Sequence, residues 1–257
     1  DGTVAPFNAL QQRLNRKTVS KKQMETHPAF IRAYDLLVDG TRDVRGLTFR
    51  ERRERLEDFI LTIESDRFDL SPLVPITTLA KLDDARLDPP APEIEGVMLK
   101  RWDSAYLAGR PKGLWYKWKR DPYLVDAVLM YAQRGHGKRS SFYSDFTFGV
   151  WREKDGADEL TPVGKAYFGF TDEELKQLDA FVRANTIDRF GPVRSVTANK
   201  ETGIVLEVAF EGLQRSPRHK SGLAMRFPRI NRIRWDKPTA EADRIETLEA
   251  LLAEQGQ

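Results

Sequence analysis

The sequence predicts an α+β protein in two parts, residues 1–121 and 122–257. Three observations predict it. Stretches of alternating apolar and polar residues, separated by turn signals, recur in both parts, as half-buried strands do. A capped, strongly periodic helix stands among the strands of the second part. Between the parts, Asp121-Pro122 breaks the chain and its character changes.

Taken in order, Asp1-Gly2 reads as a turn, Pro6 as a helix start, and Phe7, Leu10 and Leu14 as a short apolar helical stripe. FIRAYDLLVDG (30–40) reads as a strand ending in a turn. FRERRERLEDFI (49–60) is an amphipathic helix with Leu56, Phe59 and Ile60 inward and its arginines and glutamates on a solvated face. LDPPAPE (87–93) is a loop, and EGVMLKRW and LWYKWKR are strands joined across the turn signal AGRPKG (108–113). Beyond the break, YLVDAVLMYA and SFYSDFTFGVW are strands joined by QRGHGKRS, and GKAYFGF is a third. TDEELKQLDAFVRANTI (171–187) is a helix: Thr171 caps it, Glu174 completes a capping box, and Leu175, Leu178 and Phe181 form its stripe. Strands at IVLEVAFEG and GLAMRFP and a last helix over 240–252 complete the chain. Several strands with one interposed helix fit a small Greek-key barrel.

Composition narrows the chemistry. Of 257 residues, 40% are hydrophobic and 32% charged, which suits a globular protein with a sizeable core. No apolar run approaches the ~20 residues of a membrane helix, and the first residues lack a signal-peptide layout, so a cytosolic location is expected. The absence of cysteine excludes disulfides, thiolate metal sites and a thiol nucleophile. His27, His136 and His219 are too scattered to suggest zinc. The net charge of +3 is modest, but residues 213–237 hold Arg215, Arg218, Lys220, Arg226, Arg229, Arg232, Arg234 and Lys237 against one acid, Asp236. Such a local cluster is the footprint of a polyanion-binding surface.

GLWYKWKRD (113–121) sets two lysines among three large aromatics. In a strand, Trp115, Lys117 and Lys119 share one face while Tyr116 and Trp118 share the other, which suits a core. Two ammonium groups so close repel each other and invite an anion such as a phosphate. An edge strand guarded by lysine gives the same pattern.

Four segments in chain order, AYDLLVDG (33–40), EGVMLKR (95–101), LWYKWKRD (114–121) and RFPRINRIRWDK (226–237), resemble motifs III to VI of the covalent nucleotidyltransferases, specifically the bacterial ATP-dependent DNA ligases. FEGLQRSPRHKSG (210–222) is also similar to that family. The resemblance implies the C-terminal portion of an ATP-grasp-like nucleotidyltransferase (adenylation) domain over 1–121 and an OB-fold barrel over 122–257. It implies ATP, delivering AMP, as cofactor with Mg²⁺ or Mn²⁺, and nicked double-stranded DNA as partner of a monomer in the bacterial cytoplasm, associated with the nucleoid. Lys117 and Lys119 would hold the α-phosphate and offset its developing charge. Tyr34 would stack on adenine, and Glu95 would bind the divalent metal through a hard oxygen. Lys100, which an unbroken strand would point away from Glu95, would be DNA-facing or structural. Arg234, Asp236 and Lys237 would orient the departing pyrophosphate, with Asp236 fixing one of the cations and Arg229 joining them or contacting DNA. Arg134, Lys138 and Arg139 in the QRGHGKRSS loop, with Arg215, Arg218 and Lys220, would contact the DNA backbone independently of sequence.

The family's Lys-x-Asp-Gly motif, carrying the nucleophile, is not in the sequence; EKDG (153–156) has Glu153 in the lysine's place, within what reads as a hairpin. The resemblance therefore implies a chain beginning inside the adenylation domain, unable to form lysyl-AMP, with apolar surface left exposed. An RNA ligase or capping enzyme of the same superfamily is a second reading. A non-catalytic DNA-binding OB-fold module is a third.

Overall fold

The structure, a computed structural model, describes residues 4–5, 7–11, 13–14, 16–91, 93–135 and 140–254. The turn at Asp1-Gly2, the helix start at Pro6, the side chain of Phe7, His136, and the DNA contacts at Lys138 and Arg139 lie outside the described residues. The chain divides into two compact units, residues 1–120 and 121–257.

In the first unit, α1 (Phe7–Gln11) and α2 (Lys21–Thr26) precede β1 (Ile31–Ala33), β2 (Val38–Asp39) and β3 (Arg42–Asp43). The segment 30–40 is thus not one strand. β1 leaves at Ala33 to pair in parallel with β4 (Phe68–Leu70), and β2 turns at Gly40, at φ +60°, into an antiparallel hairpin with β3. α3 (Phe49–Leu61) starts where Thr48 and Glu51 form a reciprocal capping box, an arrangement worth about 1 kcal/mol. Its inward face differs from the expected one. Leu56 is buried, but Phe59 is 44% exposed, and the buried partners of Leu56 are Phe49, Arg52 and Arg53. Arginine on this face is tolerable because Asp35 and three backbone carbonyls take its donors. α4 (Leu79–Leu87), capped by Thr78, has no apolar stripe to announce it. β5 (Gly96–Lys100) and β6 (Trp115–Lys119) close the unit as a two-stranded antiparallel sheet.

The second unit is built on β7 (Tyr123–Arg134), a 12-residue strand long enough to serve three neighbours. One edge pairs with β12 (Val205–Phe210) over 123–128 and with β11 (Val193–Val196) over 131–133. The other edge pairs with β8 (Tyr143–Lys154), which pairs in turn with β9 (Ala157–Ala166). β10 (Thr186–Phe190) extends the sheet beyond β11, and β15 (Arg229–Arg234) extends it beyond β12. β13 (Gly212–Arg215) and β14 (Leu223–Arg226) form a separate hairpin. EKDG is the tight turn between β8 and β9, with Asp155 and Gly156 both at positive φ as a two-residue hairpin loop requires.

The barrel does not close. Among the described residues no ladder joins β9 to β15, and a hydrogen bond from Ile230 N to Phe168 O at 3.1 Å ties β15 to the segment after β9 instead. The strand expected at GKAYFGF ends at Ala166, and three residues on Gly169, at φ +103°, runs so close to the Ile230 backbone that a Cβ would meet its carbonyl. α5 (Asp172–Asn185) has the capping box of Thr171 and Glu174, and buries Leu175, Leu178 and Val182 against the sheet. It stops two residues before the expected end, where Thr186 adopts extended geometry and begins β10. α6 (Ile245–Glu254) follows a short 3-10 turn at Thr239–Glu241 and buries Ile245, Leu248 and Leu252 in the same core. The unit's two ends are fastened together. Asp126 N donates to Asp243 Oδ2, Asp243 N donates to Asp126 O, each at 2.8 Å, and Trp151 Nε1 donates to Thr239 O at 2.7 Å.

Candidate active site

The antiparallel register of β5 and β6 puts Gly96 opposite Lys119, Met98 opposite Lys117, and Lys100 opposite Trp115. Residues directly opposite share a face, so Lys100, Lys117 and Lys119 lie on one side of this small sheet. The other face, expected to suit a core, is only partly covered: Tyr116 is 55% exposed, and Trp118 is covered by Arg86, whose guanidinium is 5.1 Å from the ring centroid.

Glu95 stands just before β5, and its carboxylate is 2.8 Å from Lys119 Nζ. Strand alternation would have turned Glu95 and Lys100 to opposite faces. Gly96, at φ +149°, interrupts the alternation and brings Glu95 onto the lysine side. A Cβ at Gly96 would meet the Trp118 carbonyl and lie 2.7 Å from Lys119 Cα. Gly96→Ala is therefore expected to pry β5 from β6 and part Glu95 from Lys119. A drop in thermal midpoint of several degrees together with a loss of Trp118 shielding in fluorescence quenching checks this, and an unchanged melting curve counts against it.

Lys100 is neither solvent-facing nor paired in the usual way. Its side chain is 8% exposed, with Nζ 3.8 Å from Asp35 Oδ2 and 4.6 Å from the ring centroids of Tyr34, Phe49 and Trp115. No hydrogen-bond partner reaches Nζ among the described residues. Burial pushes its pKa down, opposed by Asp35 and reinforced by the Arg52 and Arg53 charges. Asp35 is the hub beneath it. It accepts from Arg52 Nε at 2.8 Å and Arg52 Nη2 at 3.0 Å, and Arg52 Nη1 continues to the carbonyls of Leu47 and Ser104. Trp115 Nε1 donates to Ser104 Oγ, joining β6 to the same hub. Tyr34, one residue from Asp35, is 62% exposed, with the Lys100 ammonium against its ring.

In the second unit, β15 carries the last basic segment. Arg234 Nη2 is 2.8 Å from Asp236 Oδ2, and Arg234 Nη1 and Lys237 Nζ converge on Asp126 Oδ2 at 3.1 and 2.8 Å. Asp236 thus pairs with Arg234, while Lys237 is held by Asp126 on β7. The Arg234 side chain is 19% exposed, so this is no loose surface pair. Its hydrogen bonds hold the Asp236 carboxyl at about 2 and raise Arg234 above its ordinary value. Glu207 on β12 faces Asp126 and Arg232 in the two ladders. Burial pushes its pKa up, but bonds from Asn231 and Arg232 and the charges of Arg232 and Arg234 outweigh that and lower it. Sequence reasoning missed Asp35, Arg52, Asp126 and Glu207. Their signal was a charged residue turned inward, in a strand for Asp126 and Glu207, in a helix for Arg52 and in the segment after β1 for Asp35, visible only once the partner is known. Arg229 opens β15 opposite Ala209. Arg215, Arg218 and Lys220 are exposed at the end of the β13–β14 hairpin, and Arg134 is exposed at the end of β7. Among the described residues no three acids or histidines gather as a metal-binding group, and no helix is long and apolar enough to cross a membrane.

Two family profiles match the chain: "ATP dependent DNA ligase domain" over residues 1–119 and "ATP dependent DNA ligase C terminal region" over residues 139–237. Among similar proteins, a "Probable DNA ligase" of Koribacter versatilis (strain Ellin345) is 36% identical over 99% of this chain and 46% of its own length. A "Probable DNA ligase" of Opitutus terrae is 35% identical over the whole of this chain and 27% of its own length. "DNA ligase 1" of Korarchaeum cryptofilum is 35% identical over 99% of this chain and 45% of its own length. The chain therefore spans less than half the length of each of these relatives. Solved structures share the fold at low identity. "Pmar-Lig_PreS3" superposes with a TM-score of 0.64 at 16% identity, over 90% of this chain and 49% of that one. A structure described as "DNA binding with a minimal scaffold: Structure-function analysis of Lig E DNA ligases" gives 0.52 at 18% identity, over 80% and 63%. With both profiles matched in order, the relatives aligned along nearly all of it and the fold shared, the chain belongs to the ATP-dependent DNA ligase family.

Proposed function

We propose that the chain supplies the phosphate-handling and DNA-holding part of an enzyme that seals nicks in duplex DNA at the expense of ATP. The observation that carries this reading is the lysine face of the β5–β6 sheet, with Glu95 drawn onto it by Gly96. A strand edge needs no acid beside its lysines; a phosphoryl-transfer site needs both, because anionic oxygens and a hard cation meet there.

Each residue then has a role. Lys117 and Lys119 bind the phosphate joined to AMP and offset charge on its oxygens. Tyr34, backed by the Lys100 ammonium, presents its exposed ring to adenine. Arg234 and Lys237, oriented by Asp236 and Asp126, bind the departing pyrophosphate, with Arg229 beside them. Arg215, Arg218 and Lys220 bind DNA phosphates, and so does Arg134.

A divalent ion of the Mg²⁺ type fits this donor set in one way. Glu95 offers a hard carboxylate, 33% exposed, and Mg²⁺ is commonly held by one or two carboxylates together with substrate phosphates. When bound there, the ion neutralises phosphate charge. Units 1–120 and 121–257 correspond, in this reading, to the adenylation and OB-fold domains.

The test gives the chain, with Mg²⁺, two nicked duplexes: one plain with ATP, the other already carrying AMP on its 5′-phosphate. Sealing of the second alone is expected, because the 257 residues contain no Lys-x-Asp-Gly to be charged. Sealing of the plain nick would show that another lysine accepts AMP. Sealing of neither, with duplex binding retained, would favour a DNA-binding module.

A further inference from the structure

The end of β7, the start of β8, the last turn of α5 and the β10–β11 hairpin surround a cavity of about 330 Å³ lined by Arg134, Tyr143, Arg183, Thr186, Arg189 and Arg194. Four of these six residues are arginines, and they are only partly neutralised. Arg183 is paired with Asp179 at 2.6 Å. Among the described residues, Arg134, Arg189 and Arg194 form no ion pair.

The fold holds these charges together at a cost. Arg189 and Arg194 are direct partners across the β10–β11 ladder, where like charges destabilise a sheet. Arg194 is fixed in place, donating through Nη1 to the carbonyls of Gly191 and Val193 at 2.8 and 3.1 Å, which orients the guanidinium without cancelling its charge. The guanidinium carbons of Arg134 and Arg183 stand 5.5 and 5.6 Å from the centroid of the buried Tyr143 ring, whose electron-rich faces steady both. A cross-strand arginine pair with two more guanidiniums beside it concentrates positive charge in a form suited to an anion.

We propose that this cavity holds a phosphodiester group of the DNA strand, through residues belonging to neither the lysine face nor the Arg234 cluster. The proposal rests on the DNA-sealing reading above. Guanidinium forks match phosphate oxygens in geometry as well as charge. The charge also runs outward. Arg194 is half-buried while Arg189 and Arg134 are exposed, so the arginines form a channel for a backbone that enters and leaves the site.

A titration of the full 257-residue chain with a fluorescent nicked duplex, repeated at several NaCl concentrations, tests it. The double variant Arg189→Gln/Arg194→Gln is expected to bind about tenfold or more weakly near 0.1 M salt. Its plot of log affinity against log salt should be shallower by about one, the unit expected for one phosphate no longer neutralised. Arg189→Lys/Arg194→Lys keeps the charge and should keep the slope. Arg189→Gln alone, which spares the Arg194 bonds to Gly191 and Val193, should weaken binding in the same direction if the glutamine pair fails to fold, and unchanged binding there overturns the site. An unchanged slope in the glutamine pair overturns the site while leaving the DNA-sealing reading intact. A wild-type chain that does not bind the duplex overturns both. Displacement of duplex by low inorganic pyrophosphate in the wild type, absent in the glutamine pair, would assign the cavity to a free anion and overturn the phosphodiester.

Discussion

Lys119→Ala is expected to slow sealing of a pre-adenylylated nick by about a hundredfold to a thousandfold in single-turnover assays, the loss typical for one preorganised charge stabiliser. The geometry gives the reason. Lys119 Nζ already stands 2.8 Å from Glu95, so its removal takes one cation from the phosphate and leaves the carboxylate repelling the same anion. Lys117, opposite Met98 and more exposed, should lose less on the same substitution. Folding should hardly change, since both lysines are partly solvated and a pair of this exposure contributes under about 1 kcal/mol. Lys119→Arg should recover part of the rate. A loss of less than about threefold in Lys119→Ala would remove this lysine from the chemistry and return the hairpin to the status of a guarded edge strand.

The second large effect is on stability. Asp35→Ala is expected to destabilise the first unit by about 3–5 kcal/mol, the range for breaking a buried ion pair by removing one partner. Arg52 is wholly buried, and with Asp35 gone its Nε and Nη2 lose their acceptors. Lys100 loses its only nearby carboxylate among the described residues and keeps just the three aromatic rings. Urea unfolding followed by fluorescence of Trp102, Trp115 and Trp118 reads this out. Replacing both partners, Asp35→Leu with Arg52→Met, should recover much of the loss, because no uncompensated guanidinium then remains. A shift under about 1 kcal/mol for Asp35→Ala would mean that water reaches Arg52 freely.

These two residues mark the limit of what the sequence could tell. Strand and helix periods exposed the main elements of the second unit, and the capping box of Thr171 and Glu174 is present as read. The β5–β6 pair and its lysines were also legible, because alternation over five residues is a local property. Arg52 was misread as solvated because charge patterning on a helix carries no sign of a buried acid 17 positions earlier. Likewise β10 and β11 escaped because their apolar content is low and their place is set by pairing, β11 with β7 and β10 with β11. The gap between β9 and β15 was not legible either, because pairing between strands distant in sequence leaves no local pattern.

The clasp between Asp126 and Asp243 has a consequence for how the second unit comes apart. It joins positions 117 residues apart, at the strand that also carries β8, β11 and β12. Such pairing is non-local, so loop-closure entropy is spent before most of the native pairings form, which slows folding and makes it all-or-none. The amide protons of Val125 and Val128 should therefore exchange with solvent only through global opening, leaving this unit one cooperative block in hydrogen exchange.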